Sequence, residues 1–216
     1  MSRYINPNSD GKFYGARDEV TLACGDCEGC FSCCHDMGES VRLDPYDVAQ
    51  LQKGLGMGFQ DLVQKGLVSL LMEDYLLVPY LTMSKDTNCC GFLGADHRCT
   101  IHPFRPGICR LFPLGRDYQN GSLSYIYLKD GCQKKAEGKV EVQKWIGVEN
   151  FSSYEKYLRL WHDFKKEMSG YLAEANEEQQ KQMSLYLLDF FYGRAYESDD
   201  FYREFDGRII RIRNLF

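Results

Sequence analysis

The chain has 216 residues, 44% of them hydrophobic, enough for one domain with a sizeable core or one domain with an appendage. Its net charge of −5 argues against nonspecific nucleic-acid binding as the main activity. Residues 1–10 lack the apolar run of a signal peptide, and apolar patches such as 75–81 are too short to span a bilayer. A cytoplasmic, reducing location is therefore expected, where thiols are ligands more often than disulfides.

Residues 1–23 are polar apart from 20–23 and read as an N-terminal arm. The next stretch is Cys24-Gly-Asp-Cys27-Glu-Gly-Cys30-Phe-Ser-Cys33-Cys34, with too many small and polar residues for regular structure. Val41-Arg-Leu43 reads as a short strand. A helix start follows, with Asp44 as N-cap, Pro45 at the first position and Asp47 in the first turn. Val48, Leu51 and Leu55 give its apolar stripe, and Gly54 or Gly56 ends it. A second helix is expected over 60–71, with Leu62, Val63, Leu67, Leu70 and Leu71 inward, then a strand over 75–81 with Pro79 near an end or edge.

Residues 88–116 form a second cysteine-rich region. A turn at 94–96 brings Cys90 back towards Cys99, Pro106 opens one helical turn carrying Cys109, and Pro113 stops it. Residues 122–128 alternate as a strand, and Cys132 lies at its exit. The last third has no cysteine. Ser152 with Glu155 reads as a capping box opening a long amphipathic helix through Tyr154, Tyr157, Leu158, Trp161, Phe164, Met168 and Tyr171. Asn176 with Gln179 opens another, with Met183, Leu187, Phe190 and Phe191 inward and Gly193 at its end. A segment of mixed character runs from Asp199. The fold expected is α+β and predominantly helical, in three parts: the arm 1–23, a cysteine-rich metal-binding domain 24–140, and a helical C-terminal extension 141–216 packed on it.

The cysteines carry the chemistry. Four of the five in 24–34 stand at strict three-residue steps, and two-residue gaps let neighbouring thiolates chelate one metal centre. Adjacent Cys33 and Cys34 tend to project in different directions, which suggests neighbouring centres or a polynuclear one. The later gaps, Cys90 to Cys99 to Cys109 to Cys132, hold 8, 9 and 22 residues, unlike the paired knuckles of zinc ribbons. A run of cysteines at two-residue gaps with a remote partner is how ferredoxin-type chains hold a cubane cluster, although no Cys-Pro follows here. Iron–sulfur is the favoured cofactor and zinc the alternative.

Cys27-x2-Cys30-x2-Cys33-Cys34, Cys90-Gly-Phe-Leu, Cys99-Thr-Ile, Arg105-Pro106-x2-Cys109-Arg110-Leu-Phe-Pro113 and Cys132 together resemble the CxxCxxCC family of zinc- or iron-chelating domains, also described as YkgJ-like cysteine cluster proteins. The resemblance covers residues 24–135. It implies that Cys27, Cys30, Cys33, Cys34, Cys90, Cys99, Cys109 and Cys132 are the metal ligands. It also implies kinship with the flagellin lysine-N-methylase, and hence a protein-lysine methylation function as one alternative. That alternative needs an S-adenosylmethionine site, and no Gly-rich motif announces one.

Several residues keep two readings. Cys24 and Cys89 stand outside the family's eight, as further ligands or as small packed thiols. His35, His97 and His102 flank the cysteines, as ligands or as ordinary imidazoles, whereas His162 has no cysteine near it in sequence. Arg105 and Arg110 bracket Cys109 and would offset the negative charge of a thiolate-bound cofactor. The aromatic stripe of the C-terminal helices reads as core, and Arg208 to Arg213 as a solvated, mixed-charge face. A redox or protein partner is expected, with no nucleic acid and no membrane. The sequence identifies no catalytic residue.

Overall fold

The structure, a computed structural model, describes residues 4–22, 30–129, 131–132 and 137–215. The arm is less plain than expected. Strand β1 (Glu19–Leu22) turns Val20 and Leu22 into the core and pairs antiparallel with residues 138–141. Upstream, Tyr14 and Tyr125 exchange two backbone hydrogen bonds of 2.8 Å.

Helix α1 (Pro45–Leu55) forms where its signals sit. The Asp44 carboxylate accepts from the Asp47 amide and the Asp47 carboxylate accepts from the Asp44 amide, closing a capping box. Gly56, at φ 62°, ends the helix in the left-handed conformation. Gly54 has a different task. A Cβ there would lie 2.6 Å from the Phe104 ring, so the bare backbone lets the His102–Phe104 turn pack against α1.

The helix expected over 60–71 is corrected. Helix α2 (Phe59–Gln64) stops early, Gly66 turns the chain at φ 68°, and residues 68–71 belong to a hairpin. Strands β2 (Val68–Glu73) and β3 (Leu76–Leu81) pair antiparallel through Asp74 and Tyr75, both at positive φ, the signature of a tight type I′ turn. The apolar spacing from Leu62 to Leu71 fits a helix and a strand equally well over so short a run, and the paired partner decides it. Residues 41–43 make no strand of their own. Arg42 forms an isolated bridge with Tyr80, and the Leu43 amide donates to the Pro79 carbonyl at 2.8 Å.

Helix α3 (Gly107–Leu111) is the single turn expected after Pro106. Strand β4 (Leu114–Asp117), not foreseen, pairs with β5 (Ser124–Tyr127) inside the strand expected over 122–128. Strand β6 (Gly138–Glu141) closes on β1 and leads into α4 (Val142–Ile146). Helix α5 (Phe151–Ala173) has its N-cap position two residues earlier than the expected Ser152 box. Asn150 is its N-cap residue and makes no side-chain cap, while Glu155 instead accepts from the Tyr125 hydroxyl at 3.0 Å. Its stripe is buried through Met168. Tyr171 is then 50% exposed, and Leu172, four residues past Met168, takes the inward place.

Helix α6 (Glu177–Leu188) opens on the Asn176–Gln179 box and runs into a π-helical turn, Asp189–Gly193, which buries Phe190, Phe191 and Tyr192 in succession. Helix α7 (Phe201–Arg213) follows. Its Arg208 is buried, contrary to a solvated face. The guanidinium donates to the carbonyls of Phe190 and Arg194 and pairs with Glu204, so it closes the end of the π turn. The fold is α+β and predominantly helical, with three two-stranded sheets among the described residues. One apolar cluster runs from Val20 and Leu22 through Leu51, Leu81 and Tyr154 to Ile212. Among the described residues no helix is long and apolar enough to cross a membrane.

Candidate metal centre

Backbone pairing brings the two cysteine regions together. The Cys90 amide donates to the Cys34 carbonyl at 2.8 Å and the Asp36 amide to the Asn88 carbonyl at 2.9 Å. On the other side, the Gly91 amide reaches the Thr82 carbonyl, just beyond β3. The turn expected at 94–96 forms, with Gly94 donating to Arg98 and Leu93 bridging to Cys99. A 3-10 turn, Ser32–Cys34, and two short bridged segments carrying Cys90 and Cys99 thus lie side by side, and α3 brings Cys109.

These segments enclose a cavity of about 460 Å³. Cys30, Cys33, Cys34, Cys90, Cys99, Cys109 and Cys132 all line it, with Val41, Leu81, Ile101, Phe112 and Trp145 among its apolar walls. Cys24 and Cys27 lie outside the described residues. Cys89 is not on the cavity wall; its Sγ lies 3.5 Å from the Thr87 carbonyl. The described cysteines are all free thiols. Among the described residues no three His, Cys, Asp or Glu side chains stand close enough to hold one metal ion.

The thiols differ in their electrostatics. Cys33 and Cys34 are electrostatically linked neighbours. The neighbouring Cys34 thiol lowers Cys33 to about 6, with help from the Arg105 guanidinium, while Cys33 and burial push Cys34 up. Burial also raises Cys90, Cys99 and Cys109. Metal-free, those three thiols stay protonated at neutral pH, so metal uptake must release protons.

The two arginines play different parts. Arg105 lines the cavity, and its Nε–H is buried with no hydrogen-bond partner. A buried, unmet donor of positive charge beside thiols fits an anionic, sulfur-rich occupant. Arg110 points elsewhere. Its Nε donates to the Arg105 carbonyl at 3.0 Å and its Nη2 to the Pro103 carbonyl, so it braces the loop that carries Arg105. His97 and His102 lie on the cavity wall, and the His97 ring stacks on Phe31 at 4.5 Å. His35 is off the wall, paired to Asp36 at 2.7 Å, and His162 stacks on Tyr118 at 4.0 Å.

Sequence reasoning missed a buried polar node behind Cys109. The Asp47 carboxylate, already in the α1 capping box, also accepts from the Gly107 amide at 2.7 Å, the first residue of α3. Arg116 from β4 donates to the Tyr154 hydroxyl at 2.7 Å and lies 3.9 Å from the Asp44 carboxylate. Burial, and then the neighbouring Asp44, push Asp47 up to about 8, against two accepted amide bonds and Arg116. The signal available in sequence was the pair of acids flanking Pro45 and Tyr46, which reads equally well as simple capping. On the far side, the Trp145 indole donates to the Leu111 and Phe112 carbonyls, at 3.2 Å each.

A thiol-lined cavity built from two cysteine regions and backed by an arginine defines a metal-chelating domain. The family model CxxCxxCC, described as "Putative zinc- or iron-chelating domain", matches residues 26–134, half of the chain. The chain belongs to that family, and metal binding is its shared property. No curated protein and no solved structure matches the chain.

Proposed function

We propose that the cavity holds an iron–sulfur cluster and that the protein is a redox protein working in a reducing, cytoplasmic setting with an electron-transfer partner. Cys27, Cys30, Cys33, Cys34, Cys90, Cys99, Cys109 and Cys132 supply the ligands, enough for two four-coordinate sites or for a cluster plus a zinc. The carrying observation is the unmet Arg105 Nε–H among these thiols. A cluster's sulfides and thiolates accept such a donor, and the guanidinium holds their negative charge. When bound, the cluster supplies one-electron chemistry. The chain's own residues do the rest: the apolar walls limit water, Arg105 sets local charge, and Arg110 fixes Arg105.

The test is elemental analysis with acid-labile sulfide on protein produced and purified without oxygen, because zinc readily fills thiolate sites emptied of iron. Iron with matching sulfide is the expected result. Stoichiometric zinc without sulfide would overturn it and leave a zinc-stabilised binding module.

A further inference from the structure

We propose that Tyr154 and Trp145, which lie beyond the family-matched residues 26–134, are positioning residues of the metal centre: they hold the Cys109-bearing turn α3 in place before metal arrives. The inference rests on Cys109 being a metal ligand, as above.

A five-residue helix has no independent stability, and all its terminal amides and carbonyls need partners from elsewhere. Here both ends are met by other elements. At the N-terminal end the Gly107 amide donates to Asp47 at 2.7 Å. Tyr154 closes over the same residue so tightly that a Cβ on Gly107 would lie 2.2 Å from its hydroxyl oxygen. That hydroxyl is itself held by Arg116 at 2.7 Å, and the Tyr154 ring is fully buried. At the C-terminal end the Trp145 indole N–H serves the Leu111 and Phe112 carbonyls, which no further helical turn can satisfy. Trp145 also forms cavity wall.

The clamps come from separate elements, α4 and α5, and α5 is anchored a second time. Its Tyr157 hydroxyl accepts from the Tyr46 amide at 3.0 Å, in the first turn of α1. Asp47, on that same helix, therefore sits on a fixed base. Cys109 is thus pre-placed by the C-terminal helices, and binding need not order its turn.

The test uses the full chain loaded with iron and sulfide without oxygen, comparing wild type, Tyr154→Phe and Trp145→Phe. Ile209→Val, buried in remote α7, serves as a control for general destabilisation. Two quantities are read: loss of the visible absorption under a chelator, and hydrogen exchange of the Arg110 and Phe112 amides in metal-free protein. Each clamp variant is expected to release iron about fivefold faster than wild type, the effect of one lost hydrogen bond, and to exchange those amides faster. The control should release iron at the wild-type rate. Iron release unchanged in both clamp variants overturns the clamp while leaving the metal reading intact. Faster release in the control equal to that in the clamp variants also overturns it. A wild-type chain that takes up no iron removes the metal reading, and the clamp with it.

Discussion

Cys34 and Cys90 are joined by backbone: the amide of Cys90 donates to the carbonyl of Cys34 at 2.8 Å, although 56 positions separate them. The two cysteine regions are therefore held together by hydrogen bonds and a shared apolar core as well as by any metal between them.

That scaffold limits the damage from losing one ligand. Coupling of metal binding to folding would collapse the first half on loss of a core cysteine if the metal alone held it. Hairpin β2–β3 and α1 share one core with α5 and α7, so we expect a milder outcome. Cys109→Ser should lose most of its metal yet keep its helical circular dichroism, with a lower melting temperature. Cys89→Ser, whose thiol is off the cavity wall, should keep wild-type metal content. Equal metal loss in the two would place Cys89 among the ligands.

Gly107 offers a test of close packing. Gly107→Ala sets a methyl group 2.2 Å from the Tyr154 hydroxyl and 2.6 Å from the Arg116 guanidinium before relaxation, well inside van der Waals contact. Overpacking of this kind costs about 1–3 kcal/mol. Adding Tyr154→Phe removes the nearer atom, so the double variant should melt higher than Gly107→Ala alone. Additive losses would mean that the strain is relieved elsewhere.

Asp47 sets a pH dependence. Its carboxyl is raised to about 8, so the folded chain binds this proton more tightly than the unfolded chain does. The resulting stability is complete below the ordinary carboxylate range and is lost as pH rises through about 8. Asp44, Arg116, Tyr46, Tyr154 and the Cys109 thiol surround it and titrate or carry charge too, so the difference from Asp47→Asn isolates its share. Denaturant midpoints from about pH 5 to about pH 9 should fall for wild type more steeply than for Asp47→Asn. The variant should be weaker by about 1–2 kcal/mol at the acidic end, because its amide cannot accept both N–H groups.

Arg105 and Arg110 should separate in a redox titration. Arg105→Gln removes a positive charge beside the thiols and should make the bound centre harder to reduce, by about 1 kcal/mol at a screened, partly buried site. Arg110→Gln should move the potential less, since its guanidinium is held by the Arg105 and Pro103 carbonyls. Equal shifts would place both charges next to the centre.

Local signals that need no distant partner were legible in the sequence. Asp44-Pro45 and Asn176–Gln179 gave helix starts, Pro106 gave the turn carrying Cys109, and the cysteine spacing gave the metal reading. Elements defined by a remote strand were not. Residues 68–71 could not reveal β3 as their partner, and 19–22 could not reveal 138–141. The same reason hid Asp47's second bond. Its acceptor role in α1 is local, but its reach to Gly107 crosses 60 positions. Ser152–Glu155 matched a box pattern, yet Glu155 was claimed by Tyr125 across the fold.

The described wall of the thiol cavity contains no Asp or Glu. Magnesium and calcium are hard ions that prefer oxygen ligands, so thiols are poor hosts for either. The competitors that matter are soft or borderline ions that thiolate also welcomes, copper(I) above all. Donor type cannot separate those from iron or zinc. Supply in the cell then matters as well, and a chain expressed under copper excess should be mismetallated before it is misfolded.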